Sequence, residues 1–336
     1  MTIVTACSRV LLTSGAILSI AAHAVGGQSP HSGSATFEAP AWAFPVLAGR
    51  APSATGTDTA AVATTPTSHA KFSVGRTRDR FDVADWNPKT HRTAPAFVMH
   101  GRKPAVMACG FCHLADGRGR PENAMIAGLP AEYFIQQVKD MRTRVRQSGS
   151  PVPFASAAAM QQIADSVTDA EVAEAARYFA RVRARRGARV VESDSIPRFM
   201  MLNGLSTFLP GNEREPLGAR LVDVAVDLRR HELHDPMAEY VSYVPRGSLA
   251  RGRTLALEGP GGGVKACTSC HGADLRGVKQ VPPLAGRYPS YLLRQLIAFR
   301  TGARNSAAGA PMREVAAALS IQDMIAAAAF AGSRAP

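Results

Sequence analysis

The chain has 336 residues, of which 46% are hydrophobic and 19% charged, enough for two domains with sizeable cores. That composition excludes a disordered tail and a disulfide-dense miniprotein. No apolar run reaches the roughly 18 residues of a spanning helix, which excludes a polytopic membrane protein. The formal net charge of +13 suits nucleic acid, an anionic membrane surface or an acidic protein partner.

In chain order, Arg9 precedes an apolar stretch from Val10 to Ala22, and Ala22-His23-Ala24 follows as a small-x-small cleavage pattern. Residues 1–24 therefore read as a signal peptide cut before Val25, which places the mature chain in the periplasm. An uncleaved anchor is the alternative, although Ser, Thr and Gly interrupt the short apolar stretch. Cys7 lies upstream of that stretch and leaves with it. Residues 25–85 form an N-terminal arm, low in complexity to residue 70 and irregular beyond. Residues 86–186 hold one cysteine pair and end in a helical pattern. Residues 187–245 connect, with a strand-like stretch from Leu221 to Val226 and turn residues Pro210-Gly211-Asn212. Residues 246–336 hold a second pair and again end in a helix.

Two of these blocks are copies. Residues 109–148 moved forward by 158 positions match without a gap, and fifteen of forty positions are identical. Chance would give roughly three, so the chain contains an internal duplication. The identities include Cys109, Cys112, His113, Tyr133, Gln137, Arg142 and Arg146. After a six-residue length difference, Met160 falls opposite Met312. Thr168 with Glu171, and Ser320 with Asp323, have the spacing of a helix N-cap and its reciprocal acid. Block 86–186 carries 15 basic and 8 acidic residues, block 246–336 carries 12 and 4, and the connector carries 6 and 9. The basic surface belongs to the repeats.

Cys109-Gly110-Phe111-Cys112-His113 and Cys267-Thr268-Ser269-Cys270-His271 both read C-x-x-C-H, the attachment pattern of c-type haem. Two thiols on one helical turn reach both vinyl groups of a porphyrin, and the next residue offers an imidazole to the iron. Zinc half-sites and a thioredoxin-like dithiol are the competing readings. The pairs stand far beyond zinc-ribbon spacing, and no βαβ pattern surrounds them. For the sixth iron ligand, Met160 and Met312 are the methionines that face each other in the repeat; the rivals are His100, His231 and His234. Between Cys and Met, Phe134, Val138 and Met141 match Leu292, Leu296 and Phe299 as an i, i+4, i+7 stripe. Tyr133, Tyr291, Arg142 and Arg300 are candidates to approach haem propionates, weighed against packing and solvent.

The two C-x-x-C-H motifs, Pro282-Pro283-Leu284-Ala285-Gly286, Tyr291-Leu292-Leu293-Arg294-Gln295-Leu296 and Met312-Arg313-Glu314-Val315-Ala316 resemble the dihaem class I c-type cytochromes of the cytochrome c4-like group. The resemblance covers about 86–186 and 246–336. It implies an all-α fold of two haem domains in tandem, with an irregular connecting segment and an N-terminal arm. It also implies two covalently bound haem c groups held by Cys109, Cys112, His113 and Met160, and by Cys267, Cys270, His271 and Met312. The family fixes its proximal histidine through a proline carbonyl. Pro283 fits that place, and the first half carries Met125 there. Each half is expected to run from an N-terminal helix through the haem motif, a middle helix and a Met loop to a C-terminal helix that crosses the first. The expected function is single-electron transfer between a respiratory dehydrogenase or reductase and a terminal acceptor. The expected partners are acidic redox proteins, respiratory oxidase or dehydrogenase, not nucleic acid, with peripheral membrane association left open. The alternatives are a haem enzyme of the dihaem peroxidase or thiosulfate dehydrogenase type, and a cytochrome subunit of a membrane dehydrogenase.

Overall fold

In the computed structural model, residues 37–44, 55–202 and 205–336 are described, so the signal-peptide reading of residues 1–24 and part of the arm fall outside the described residues. In the arm, β1 (Val62–Ala63) pairs antiparallel with β2 (Phe72–Ser73), and Ser73 caps the single turn α1 (Val74–Thr77). Trp86 anchors this segment. It is buried, its ring lies 4.7 Å from that of Phe72, and its indole N–H donates to the Leu233 carbonyl at 2.7 Å. Burying that ring with its one polar group satisfied joins arm and connector.

The first repeat contains α2 (Ala96–His100), α3 (Cys109–His113), α4 (Ala131–Arg142), α5 (Ala155–Ser166) and α6 (Asp169–Phe179). The stripe on α4 faces inward: Val138 is buried among Val106, Ala164 and Val172, with Phe134 and Met141 against them. Thr168 and Glu171 form a reciprocal capping box at the start of α6, satisfying two otherwise orphaned backbone donors.

The connector overturns the all-α expectation. Its strands are β3 (Arg189–Glu192), β4 (Ser195–Pro197), β5 (Phe199–Leu202), β6 (Leu205–Phe208), β7 (Arg214–Pro216), β8 (Val222–Ala225) and, after the short helix α7 (Leu228–Glu232), β9 (Tyr240–Val244). Five of them make one mixed sheet in the order β3-β9-β8-β6-β5, and β4 pairs with β7. The fold is therefore helical repeats plus a sheet. β8 is buried at every position, as a central strand should be, so its residues do not alternate between core and solvent. Inside it, Asp223 faces Ser242 across the ladder and accepts that hydroxyl at 2.5 Å, along with the Ser290 hydroxyl and amide.

The second repeat contains α8 (Ser248–Glu258), α9 (Thr268–His271), α10 (Pro289–Arg300), α11 (Ala310–Ala318) and α12 (Ile321–Ser333). Ser320 and Asp323 form the second capping box. α8 and α12 cross at Gly252, where a Cβ would stand 2.0 Å from the Ala326 carbonyl oxygen, so only glycine allows the approach. Leu255, Leu292, Leu293, Ile297, Met324 and Ile325 fill the core around this crossing. Among the described residues, no single helix is long and apolar enough to cross a membrane.

Candidate haem-binding sites

Cys109, Cys112 and His113 share α3, while Cys267 caps α9 and Cys270 and His271 lie on it. All four thiols are free. Burial pushes the Cys109 thiol up to about 12 and raises Cys112, against the pull of Arg120; burial raises Cys267 as well. A redox dithiol needs a depressed thiol pKa, and the shifts here run the other way. Among the described residues, no group of three or more His, Cys, Asp or Glu side chains is placed to hold a metal ion.

Both histidines are buried, and each is oriented by one carbonyl. His113 Nδ1 donates to Ala124 O at 2.7 Å, and His271 Nδ1 donates to Pro282 O at 2.8 Å. A carbonyl only accepts, so Nδ1 carries the proton and Nε2 keeps its lone pair. Burial lowers both imidazole pKa values against the raising effect of these bonds, which favours the neutral, metal-binding form. Ala124 and Pro282 are equivalent positions in the repeat. The supporting carbonyl therefore belongs to the residue before Pro283, and Met125 in the first half leaves that support intact.

The loop after each histidine is set by a glycine in the left-handed region. Gly119 and Gly277 donate their amides to His113 O and His271 O, both at 2.8 Å. A Cβ on Gly119 would meet Ala124 O at 2.4 Å and displace the carbonyl that orients His113. The sites thus contain two thiols for thioether bonds and an imidazole with a free nitrogen, the donor set that a c-type haem requires.

The remaining candidates divide clearly. Met160 stands on α5 and Met312 on α11, both half-buried, so these methionines lie on helices rather than in loops. His100 is exposed beside Asp82. His231 is buried, with Nδ1 3.0 Å from the Tyr240 hydroxyl, and His234 packs its ring 4.6 Å from that of Phe111. Arg142 is occupied by Ala164 O, Val167 O and Asp169, and Arg300 lies over the Phe37 ring. These two arginines do not join the cluster of side chains between the repeats.

That cluster is built by other members of the repeat. Arg146 donates to Gln137 at 3.0 Å and to Tyr291 and Gln295 at 3.3 Å. Arg304 donates to Gln295 at 3.1 Å, to Tyr133 at 3.4 Å and to Gln137 at 2.6 Å. The backbones cross here too: Gln147 N donates to Ala303 O and Asn305 N to Val145 O. Equivalent residues face each other, as in a two-fold contact. Burial would raise the Tyr133 phenol, yet Arg304, Arg146 and Arg287 outweigh it and hold the pKa below the usual tyrosine value. Burial drives the Arg287 guanidinium down to about 10. Such a cluster of partly or fully buried cations, bonded to neutral acceptors, fits anionic groups such as porphyrin propionates. Gln137, Gln295, Arg146 and Arg304 all stood among the fifteen repeat identities, and that identity was the sequence signal for them.

Residues 249–331 match the Cytochrome c family model, which carries covalently bound haem c with it. The thiosulfate dehydrogenase electron acceptor of Stutzerimonas stutzeri is 27% identical over 237 residues, covering 70% of this chain and 82% of that protein. Cytochrome c4 of Azotobacter vinelandii is 26% identical over 245 residues, covering 71% and 89%. Among solved structures, a thiosulfate dehydrogenase (TsdBA) from Marichromatium purpuratum aligns with a TM-score of 0.48 at 27% identity, over 70% of this chain and 38% of that one. Reduced cytochrome c4 from Pseudomonas stutzeri aligns with a TM-score of 0.44 at 22% identity, over 67% and 93%.

Proposed function

We propose that this chain, which resembles the dihaem class I cytochromes of the cytochrome c4 kind, is a periplasmic carrier of single electrons with one haem c in each repeat. The observation that carries the reading is the pair of C-x-x-C-H helices whose buried histidines are each tied through Nδ1 to a carbonyl at the same repeat position. When bound, haem supplies a reversible one-electron change at iron. The chain's residues do the rest. Cys109 with Cys112, and Cys267 with Cys270, fix the porphyrin through thioethers. His113 and His271 would offer Nε2 to the iron, and Met160 and Met312 are the proposed further ligands. Arg146, Arg304, Tyr133 and Tyr291 would bind haem carboxylates, and the apolar residues of α4 and α10 would exclude water from the porphyrin.

The intact mass should exceed that of the mature polypeptide by two haems that survive acid–acetone extraction; a bare-chain mass overturns the reading. The donor and acceptor in this proposal are a respiratory dehydrogenase or reductase and a terminal acceptor. One relative is named as the electron acceptor of a thiosulfate dehydrogenase, which makes that enzyme a donor to try first. A carrier is reduced by thiosulfate only when the dehydrogenase is added, whereas reduction by thiosulfate alone marks an enzyme.

A further inference from the structure

The two haem-motif loops have nearly the same sequence but opposite surroundings. In the first repeat Leu114, Ala115, Asp116 and Glu122 are buried; in the second, the equivalents of the last three, Ala273, Asp274 and Gln280, are exposed. The chain itself makes the difference. Arm and connector close over α3, where Trp86 joins Leu233 and His234 packs on Phe111, and the repeat's own α6 adds the Tyr178 hydroxyl, which donates to Ala115 O at 2.7 Å. Arg118 donates to the carbonyls of Arg186, Gly187, Pro236 and Ala238, and Arg185 pairs with Asp116 at 2.6 Å. Among the described residues nothing comparable covers α9. Arg276, the equivalent of Arg118, reaches only Ala335 O among the described residues, and it is exposed.

What is left open there has the makings of a contact surface. Cys270 is exposed, whereas its equivalent Cys112 is half-buried. Val278 is 47% exposed and packs on Gly272 at the end of α9, and Leu257 is 45% exposed. Lys265, Arg276, Lys279 and Arg253 are exposed on the same segments, against two exposed acids, Glu258 and Asp274. Apolar residues ringed by an excess of cations are complementary to an acidic partner with an apolar contact spot.

We infer that electrons enter and leave this protein through one docking surface, the open edge of the second repeat around Cys270, and that its partner is an acidic redox protein. The inference rests on the haem reading above. Each encounter moves one electron between the partner and the iron held by His271; one side is oxidised, the other reduced, and no atom is transferred. The first repeat exchanges electrons only across the cluster that joins the repeats.

The test uses the full-length, isotope-labelled, reduced holoprotein, first shown by mass to contain two haems, so that failure of the haem reading is seen separately. The probe is hexacyanochromate(III), a redox-inert paramagnetic trianion. Amide broadening should concentrate on residues 265–281, exceed that on residues 107–123 several-fold, and disappear in the double variant Lys265→Glu, Lys279→Glu. Reduction of the oxidised protein by hexacyanoferrate(II) should slow roughly tenfold in that variant at low salt, should slow in the parent as salt rises, and should be unaffected by Lys103→Glu on the first repeat. Equal broadening on both loops, broadening indifferent to the charge reversal, or an equal rate loss in Lys103→Glu overturns the proposal.

Discussion

Replacing Gly252 by Ala tests the helix crossing on which the second site is built. The added Cβ would lie 2.0 Å from Ala326 O and 2.7 Å from Phe330 Cβ, whereas ordinary contact begins at 3.4 Å. The obstructing atom is backbone, so no rotamer change relieves it, and α8 and α12 must part by more than an ångström. Parting them loosens Leu255 and Ala256 from Ile325, Ala328 and Ala329 in one buried cluster. Overpacking of this kind costs about 1–3 kcal/mol, and a backbone obstacle belongs at the upper end. Alanine's helix propensity returns about 1 kcal/mol relative to glycine, leaving a net loss of about 2 kcal/mol. For a protein of this size that is a Tm lower by roughly 3 °C. The assay is thermal unfolding of the reduced holoprotein followed by far-UV circular dichroism and Soret absorption. Thr254→Ala, an exposed site on the same helix, reports the propensity gain alone. A Gly252→Ala protein as stable as the parent, or more so, refutes the crossing geometry.

Three further outcomes follow from the sites. Met312→Ala should remove about half of the weak red-edge Met-to-iron band of the oxidised protein and lower one potential, and Met160→Ala should do the same for the other haem; unchanged spectra in both variants assign the ligand to a histidine. Arg304→Gln removes a cation that disfavours the more positive oxidised haem, so at least one midpoint potential should fall in spectroelectrochemical titration; unaltered potentials refute a haem-facing role for the cluster. Burial raises the Asp223 pKa, against hydrogen bonds from Ser242 and Ser290 and the charge of Arg294. A raised native carboxyl pKa makes the native state weaker as pH climbs from the unfolded value of about 3.9 to the native one, after which the loss is constant. Asp223→Asn should therefore gain stability relative to the parent between pH 3 and pH 7 in denaturant titrations, and a pH-independent difference refutes that account.

Much of the site was legible because the duplication filters the sequence. A residue type kept at one offset in both halves picked out the cysteines, the histidines and the capping boxes, and the structure shows both boxes formed. The same filter held Gln137, Arg146, Gln295 and Arg304, but it does not say which of these face one another. Arg142 and Arg300 passed it equally well and turned to other partners. The sheet was mostly hidden. Only the Leu221–Val226 run suggested a strand, because β5 and β6 are four-residue segments whose apolar content suits helix or strand alike. Their pairing is decided by neighbours distant in sequence, such as β3 lying parallel to β9. The histidine carbonyl was misplaced by one residue because a proline pair offers two carbonyls, and only folding selects Pro282.

The contact between the repeats and the cover over one of them act in opposite senses. Where equivalent surfaces meet, each side must complement its own copy, so a residue kept in both halves is satisfied twice: Tyr133 meets Arg304, and Tyr291 meets Arg146. By itself that arrangement would leave the two outer faces equal. Arm and connector remove the equality, because they arise once in the chain: both also pack into the core of the second repeat, but among the described residues they cover α3 and not α9. Arg118 shows the effect in a single pair of residues. Surrounded by backbone carbonyls it serves as a clamp, while the identical Arg276, with one carbonyl, stays on an open cationic rim. The connector's carboxylates do not add to this difference: Asp194 pairs with Arg246, and Asp223 accepts from Ser290 near Arg294, all three partners belonging to the second repeat. A duplicated protein thereby acquires a direction: exchange between the halves is set by the shared contact, and exchange with the outside is set by which half the single-copy segments leave bare.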